Sequence, residues 1–271
     1  MKFLLNSFLD FFYPSFCPVC GDGTSSYPSL CGGCFEQCHF LTGRLCECCG
    51  YPLEQQKSQV LYEDIFDTIP FEYDDMGDGL YQGDGNRCLS CVRKPVPFIL
   101  RSPLVYNDLS KNLILQLKYA DRMEVAQLLG NFMMQILHQY PKVDVLIPVP
   151  LYWTRLWGRR YNQATLICRA MKREHGHFSS SKHLSVVTNN LMRIKPTQSQ
   201  GHQHYRQRMD NMRGAFHVKN PKALEGKTIA LIDDVYTTGA TLRACARALQ
   251  HAGVKTIYAF TVARVLKGTM L

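Results

Sequence analysis

The stretch Ile229–Thr241, which reads IALIDDVYTTGAT, constrains the fold of this chain more than any other. It starts with four apolar residues, a pattern typical of a strand that is buried on both faces. Two adjacent carboxylates follow, and then a turn of small and hydroxylated residues. The candidate binding positions are Asp233, Asp234, Thr237, Thr238, Gly239, Ala240 and Thr241. A helical pattern begins at once and ends at Gly253. The stretch therefore predicts a strand, a loop and a helix in direct succession.

A strand, a small-residue loop and a helix N-terminus together predict an anion site. Backbone N–H groups would face the ligand, the helix dipole favours negative charge, and Gly239 lets a phosphate group approach closely. The paired carboxylates suit the hydroxyls of a ribose, and they would also suit a magnesium ion. The stretch matches neither GxxxxGK[ST] nor GxGxxG. The alternative is a buried strand with incidental acids, which we disfavour because two aspartates there are costly without a partner.

These residues resemble the thirteen-residue signature of the type I phosphoribosyltransferases, which bind 5-phosphoribosyl-1-pyrophosphate. The resemblance implies that Asp233 and Asp234 hold the ribose hydroxyls and that residues 237–241 enclose the 5′-phosphate. It names no catalytic residue, so enzymatic activity stays open. After residue 98, further buried-strand patterns at 143–150 and 256–262 alternate with helical ones. They predict an α/β domain with a mostly parallel sheet and a ligand site at the carboxyl ends of its strands.

Ten of the twelve cysteines lie before residue 92, and eight of them form four CxxC pairs: Cys17/Cys20, Cys31/Cys34, Cys46/Cys49 and Cys88/Cys91. We expect no export signal, and in a reducing compartment such pairs indicate zinc rather than disulfides. A CxxC turn directs two thiolates at one ion, and two such turns complete a tetrahedral S4 site. We therefore expect two structural zinc ions. Pairing in sequence order is the simplest arrangement, and we favour packing or exposure over ligation for Cys38, His39 and Cys48.

Charge is unevenly distributed along the chain. The formal net charge is +9, yet eight of the 22 acidic residues lie between Lys57 and Arg87, where no Lys or Arg occurs. The remainder carries a large basic excess, which suits a polyanionic partner or a phosphate-rich substrate. A change of composition near Pro95 predicts a domain boundary. Residues 1–94 would hold an N-terminal helix and the cysteine pairs, with an acidic insertion at about 55–87, and residues 95–271 would form the α/β domain.

The N-terminal residues 1–14 are apolar, but polar residues interrupt them and no signal-peptide cleavage site precedes Cys17. We expect an amphipathic helix that docks on the protein or on a membrane surface. No run approaches eighteen apolar residues, so we expect no membrane span. The chain is predicted to be cytoplasmic.

Basic residues follow the strand pattern at 143–150, where Arg155, Arg159 and Arg160 alternate with aromatic residues. Guanidinium groups at the carboxyl end of a parallel strand suit pyrophosphate, through bidentate hydrogen bonds. Basic and aromatic residues together equally suit single-stranded nucleic acid, through stacking on bases. A basic surface loop with partly buried aromatic residues is the third interpretation. Residues 191–216 have the composition of a lid over an anionic ligand or of a linker, and we expect Arg193 and Lys195 within them to bind pyrophosphate or DNA.

The order and spacing of all these motifs are similar to those of the ComF family. They are CPVC, CGGC, CECCG and CLSC, then PVPLYWTRLWGRRYNQA, RxKxTxxQ, NMRGAF and IDDVYTTGAT. The resemblance covers nearly the whole chain and implies a double zinc ribbon followed by a type I phosphoribosyltransferase-like domain. The family is bacterial and is associated with natural transformation, in which single-stranded DNA enters the cell. It implies single-stranded DNA and other DNA-uptake or recombination proteins as partners.

Three functions are compatible with these motifs. The first is the handling of incoming single-stranded DNA, with a pocket for a nucleotide, a phosphoribosyl ligand or the phosphates of the strand. The second is a phosphoribosyltransferase of nucleotide metabolism, in which arginines and magnesium stabilise the pyrophosphate leaving group. The third is a regulator that senses phosphoribosyl pyrophosphate and binds DNA through the zinc ribbons.

Overall fold

The computed structural model describes residues 15–53, 86–119, 122–140, 142–154, 161–178, 184–196, 212 and 214–266. Its helices are α1 (Gly32–Glu36), α2 (Leu89–Arg93), α3 (Asp108–Tyr119), α4 (Met123–Leu137), α5 (Gln163–Phe178) and α6 (Ala240–His251). Its strands are β1 (Ile99–Arg101), β2 (Leu104–Val105), β3 (Val145–Pro148), β4 (Ser185–Val186), β5 (Leu191–Arg193), β6 (Phe216–Val218), β7 (Thr228–Tyr236) and β8 (Thr256–Arg264). None of the helices in these residues combines the length and the apolar character that crossing a bilayer requires.

A parallel sheet organises the α/β part of the chain. Its strand order is β1-β8-β7-β3-β4, with β2 also paired to β8, and every one of these pairings is parallel. Strands β5 and β6 form a separate antiparallel hairpin. The predicted fold class, an α/β domain with a mostly parallel sheet, is confirmed.

Helices cover both faces of the sheet, as the alternation of β7 shows. Ile229 and Leu231 belong to the buried cluster that contains Leu249 of α6. Ala230 and Ile232 belong to the opposite cluster, which contains buried residues of α3, α4 and α5. Because successive side chains of a strand point to opposite faces, a strand covered on both sides needs a continuous apolar run. That requirement explains the apolar sequence that opens β7.

The connections place a crevice between β3 and β7, which are adjacent in the sheet. Helix α5 connects β3 to β4 on one side, and α6 connects β7 to β8 on the other side. The segments that follow β3 and β7 therefore diverge at the carboxyl edge of the sheet. In open α/β sheets, ligands bind at such a reversal of strand order.

Predicted and observed element boundaries differ at three strands. The predicted strand at 229–232 continues through the two acids to Tyr236, because β7 stays paired with β8 as far as Arg264. The strand predicted at 143–150 is shorter, Val145–Pro148, and the strand predicted at 256–262 continues to Arg264. Helix α5 begins directly after Asn162 as predicted, and the Ala164 amide donates to the Asn162 side chain.

The cysteine-rich part packs directly against the α/β part. Cys17 and Cys34 lie in the buried cluster that contains α3 and α4, and Cys46 and Cys88 lie in the cluster that contains α6. Apolar contacts therefore cross the predicted boundary at 94/95, which stays a prediction about folding units. The N-terminal helix, nearly all of the acidic insertion, Arg155, Arg159, Arg160 and most of the 191–216 segment lie outside the described residues.

Candidate functional site

Residues 237–241 are called the signature loop here; they comprise the turn between β7 and α6 and the first two residues of α6. Gly239 precedes the first residue of α6 and has φ +72°, a left-handed conformation that favours glycine. In the described part of the chain, the backbone N–H groups of Thr237, Thr238 and Gly239 have no hydrogen-bond partner. Unpaired amides at the N-terminus of a twelve-residue helix provide donors and a favourable dipole for an anion.

The two acids lie in the last part of β7, beside this loop. The Asp234 amide donates to Asp233 Oδ1 at 2.9 Å, and the Val235 amide donates to Asp234 Oδ1 at 2.7 Å. Burial, reinforced by the adjacent charge of Asp234, raises the pKa of Asp233 to about 8. The rise in pKa favours the protonated form of Asp233, which is able to donate a hydrogen bond, whereas a carboxylate only accepts.

Lys118, in the last turn of α3, forms an ion pair with Asp234. Its Nζ lies 2.5 Å from Asp234 Oδ2, and both side chains are about one-fifth exposed, at 19% and 20%. The sequence carries a weak signal for Lys118. The segment LKYADR at 117–122 is basic and aromatic, which suits a position near the ligand, but taken alone it is no better than an ordinary helix end. The ion pair adds a cation to the acidic end of β7.

The end of the arginine-rich segment is tied to the same turn of α3. The Tyr161 hydroxyl donates to the Leu117 carbonyl at 2.9 Å. Tyr161, which follows the arginine-rich segment, therefore lies beside the turn of α3 that carries Lys118. The structure does not describe Arg155, Arg159 and Arg160, so their contact with a ligand stays a prediction.

The hairpin of β5 and β6 brings a second cation toward the acids. Although burial raises the pKa of Asp233, the charges of Lys118 and Arg193 oppose that rise. The Arg193 guanidinium also lies over the Phe216 ring, 5.7 Å from its centroid. Lys195 is placed beside Gly214, since a Cβ at Gly214 would lie 3.5 Å from its Nζ. The binding role predicted for Lys195 stays a prediction.

Eight cysteines form two groups that could each hold a metal ion: Cys17, Cys20, Cys31 and Cys34, and Cys46, Cys49, Cys88 and Cys91. Within each group the sulfur atoms all lie within 4.8 Å of one another. The grouping follows sequence order, as expected. Cys38 and Cys48 belong to neither group, and His39 is exposed.

Each group combines one tight turn with one helix start. The Gly21 amide donates to the Cys17 carbonyl, and the Gly50 amide donates to the Cys46 carbonyl, with φ +84° and +65° at the two glycines. Cys31 and Cys88 precede α1 and α2 respectively. This arrangement directs four thiol groups at one point without help from a disulfide, since all twelve cysteines are free.

The sulfur positions fit zinc. At a Zn–S distance of about 2.3 Å, the sulfur atoms of a tetrahedral site lie about 3.8 Å apart. The distance from Cys20 Sγ to Cys31 Sγ is 3.4 Å, and that from Cys49 Sγ to Cys88 Sγ is 3.6 Å. Hydrogen bonds from Cys49, Cys88 and Cys91 lower the pKa of Cys46, whereas the contact with Cys46 raises the pKa of Cys88 and of Cys91. Four thiolates leave no open position, so each zinc would be structural.

Magnesium lacks comparable support. In the described residues, the groups of metal-ligating side chains are the two cysteine groups, and Asp233 and Asp234 gather no third ligand. Asp234 is neutralised by Lys118 instead. A magnesium ion at the acids would need ligands from a bound phosphate.

Comparisons with known proteins agree with this architecture. The double zinc ribbon domain family matches residues 8–64, and the phosphoribosyl transferase domain family matches residues 179–271. The DNA utilization protein YhgH of Salmonella typhi is 30% identical over 186 residues, which cover 66% of this chain and 78% of that protein. Competence protein F of Haemophilus influenzae is 34% identical over 130 residues, 47% of this chain and 53% of that protein. Competence protein ComFC of Bacillus subtilis is 33% identical over 167 residues, 60% of this chain and 63% of that protein.

This chain belongs to the ComF family. Among solved structures, a hypoxanthine phosphoribosyltransferase from Staphylococcus aureus matches at a TM-score of 0.31 with 14% identity, over 52% of this chain and 73% of that chain. A likeness this distant says nothing about the ligand of the ComF chain.

The ComF site thus unites residues from three separate segments. The structure brings the acids of β7, Lys118 of α3 and Arg193 of β5 to the carboxyl edge of the sheet, next to the signature loop. Negative and positive groups alternate there. Such an edge can bind a phosphorylated sugar through amides and cations at the phosphate and through carboxyl groups at the hydroxyls.

Proposed function

We propose that this ComF family chain handles incoming single-stranded DNA in natural transformation, and that its signature loop binds a phosphoribosyl ligand. The observation that carries the proposal is the set of unpaired amides at residues 237–239, next to two acids at the switch point of the sheet. The names of the relatives, a DNA utilization protein and two competence proteins, support the role in DNA uptake.

The chemistry of the two acids distinguishes a phosphoribosyl ligand from a DNA strand. Asp233 and Asp234 suit a vicinal pair of hydroxyls, which ribose has and deoxyribose lacks. An internal nucleotide of a DNA strand offers neither hydroxyl, because its 2′-OH is missing and its 3′ oxygen is esterified, so both acids would lose the partners that a free ribose provides. We therefore assign the loop to a ribose phosphate and the DNA to the basic surface outside it, which would include Arg155, Arg159 and Arg160.

Fluorescence anisotropy of a labelled single-stranded oligonucleotide tests the DNA part. Changing Arg155, Arg159 and Arg160 to alanine should weaken binding. It should also reduce the steepness of the fall of log K with log salt concentration by about 2, since each phosphate contact contributes about 0.7 to that slope. The matched control removes three exposed lysines near the opposite edge of the sheet, Lys219, Lys222 and Lys227. Equal losses in both triple variants would refute a specific DNA surface.

Calorimetric titration tests the ligand part. Ribose 5-phosphate should bind the wild-type chain more tightly than 2-deoxyribose 5-phosphate, and Asp234→Asn should remove most of that preference. Equal affinities for the two sugars would contradict the assignment of the acids to the ribose hydroxyls.

The same site favours a second candidate function, phosphoribosyl transfer. A loop for the 5′-phosphate, acids for the ribose and nearby cations for pyrophosphate are what such a reaction needs. Pyrophosphate release from 5-phosphoribosyl-1-pyrophosphate with magnesium, screened over nucleobases and ammonia donors, tests it against Asp233→Asn and Asp234→Asn. Release that is absent, or that survives both substitutions, would exclude transfer at this site.

A further inference from the structure

Arg264, the last residue of β8, is buried between the signature loop and the second cysteine group, which consists of Cys46, Cys49, Cys88 and Cys91. It is 5% exposed. Its guanidinium lies between two tyrosine rings, 5.2 Å from the centroid of Tyr51 and 5.2 Å from that of Tyr236. Its Nη1 also donates to the carbonyl of Cys49. Arg264 therefore contacts Cys49, which is a proposed metal ligand, and the rings of Tyr51 and Tyr236.

Tyr236 in turn packs against Gly239 of the signature loop. A Cβ placed on Gly239 would lie 2.6 Å from Cε2 and 2.8 Å from the hydroxyl of Tyr236, so the ring lies directly against the loop backbone. Tyr236 is 8% exposed. Arg264 contacts this ring, so the ring has little freedom to move while Arg264 keeps its position. The position of the loop thus depends on that of Arg264.

A metal ion in the second cysteine group would fix the position of Cys49, whose carbonyl binds Arg264. The four thiols that fit zinc include Cys49, whose carbonyl Arg264 binds. Gly50 packs on β1, since a Cβ there would lie 2.8 Å from the Leu100 carbonyl oxygen. Binding of a structural metal contributes directly to folding of its ligand segment. Without metal, four clustered thiols lack the bonds that keep this turn in place.

We propose that Arg264 is a positioning residue that couples metal at the second cysteine group to ligand binding in the signature loop. Metal bound by Cys46, Cys49, Cys88 and Cys91 holds Arg264 and Tyr236, and these hold the loop in its binding conformation. The coupling is reciprocal, so a phosphate-bearing ligand in the loop raises the affinity of the group for zinc. This inference rests on the proposed ligand site.

Arg101 offers a matched control. Its Nη1 donates to the carbonyls of Cys46 and Glu47, so it also ties the second group to the sheet. The contacts that the structure describes for Arg101 include neither Tyr236 nor the signature loop. Loss of Arg101 perturbs the docking of the second cysteine group on the sheet and leaves the contact between Arg264 and Tyr236 intact.

The first experiment measures the binding of ribose 5-phosphate to the zinc-loaded full chain by calorimetry. Arg264→Met should weaken binding roughly tenfold, within the usual range of coupling between sites, and Arg101→Met should change it less than about twofold. Arg264→Lys, which keeps a donor for the Cys49 carbonyl, should recover part of the loss. Equal effects of Arg264→Met and Arg101→Met would overturn the proposal.

The second experiment needs no variant. A chromophoric chelator competes for zinc at equilibrium with the wild-type chain, with and without saturating ribose 5-phosphate. The ligand should raise the chelator concentration that removes one of the two zinc ions by roughly tenfold, and should leave the other unchanged. A ligand that binds the wild type but leaves both zinc affinities unchanged would refute the coupling alone. A wild type that does not bind ribose 5-phosphate would refute the proposed ligand site and the coupling with it.

Discussion

Replacing Gly239 by alanine should destabilise the folded chain and weaken binding of ribose 5-phosphate together. Two separate effects act at this position. Gly239 has φ +72°, and a Cβ would lie 2.6 Å from the ring of Tyr236. The ring cannot withdraw freely, because Arg264 lies against it.

The magnitude follows from these two effects. A left-handed conformation costs an alanine about 1–2 kcal/mol. Ordinary contacts begin at 3.4 Å, so the loop or the ring must move by about 0.8 Å. Overpacking of that kind costs about 1–3 kcal/mol. We expect a total loss of about 2–5 kcal/mol in the free energy of unfolding, which a typical domain survives at reduced stability.

Movement of the loop also affects the ligand. Lengthening a hydrogen bond from about 2.9 Å by nearly an ångström breaks it. A hydrogen bond to a charged group contributes about 1.5–3 kcal/mol. Loss of a single amide contact to phosphate should therefore weaken binding at least about tenfold.

Two other glycines separate the causes. Gly226 has φ +68° with nothing within 4 Å of its Cβ, and Gly253 has φ +76° with the Glu225 Cγ at 3.2 Å. Their alanine variants should lose only the conformational cost, about 1–2 kcal/mol, and should bind ribose 5-phosphate normally. Urea unfolding and calorimetry measure both quantities. The reasoning fails if Gly239→Ala loses no more stability than Gly226→Ala, or binds the ligand as the wild type does.

Three further results are expected. Because the pKa of Asp233 is raised from 3.8 to about 8, its contribution to stability is present at low pH and is lost as pH rises through 8. Urea unfolding from pH 5 to 9 should show a decline in the free energy of unfolding that Asp233→Asn removes. Parallel curves for the two proteins would count against this assignment. A double-mutant cycle of Lys118→Met and Asp234→Asn should give a coupling free energy of about 0.5–3 kcal/mol, and a value near zero would mean that the ion pair does not stabilise the fold. Elemental analysis should find two zinc ions per chain and one after Cys17→Ser or Cys46→Ser, whereas fewer than one in the wild type would exclude both sites.

Sequence alone was sufficient wherever the determining contacts are local. The four CxxC pairs predict two groups of four cysteines, because the turn that directs two sulfur atoms at one point is built within six residues around Cys17 or Cys46. The strand, loop and helix at residues 228–251 are likewise adjacent along the chain. Apolar runs that need cover on both faces predict the parallel sheet.

Strand lengths and partners depend on tertiary contacts. The acids of β7 were expected after the strand, yet they lie within it, because the backbone pairing with β8 continues to Tyr236. Neither the apolar pattern nor the residue types record how far a neighbouring strand extends. The sequence boundary of a strand that ends in polar residues is therefore uncertain by several positions.

The residues that complete the site were decided by tertiary structure alone. Lys118 reaches Asp234 from a helix before β3, and Arg264 joins Tyr51 of the zinc ribbon to Tyr236 of the sheet. Periodicity tells which face of an element is buried but not which element covers it. Sequence determined the chemical groups and their local turns, and packing between distant segments determined which cations face the acids and which cysteine group lies beside the signature loop.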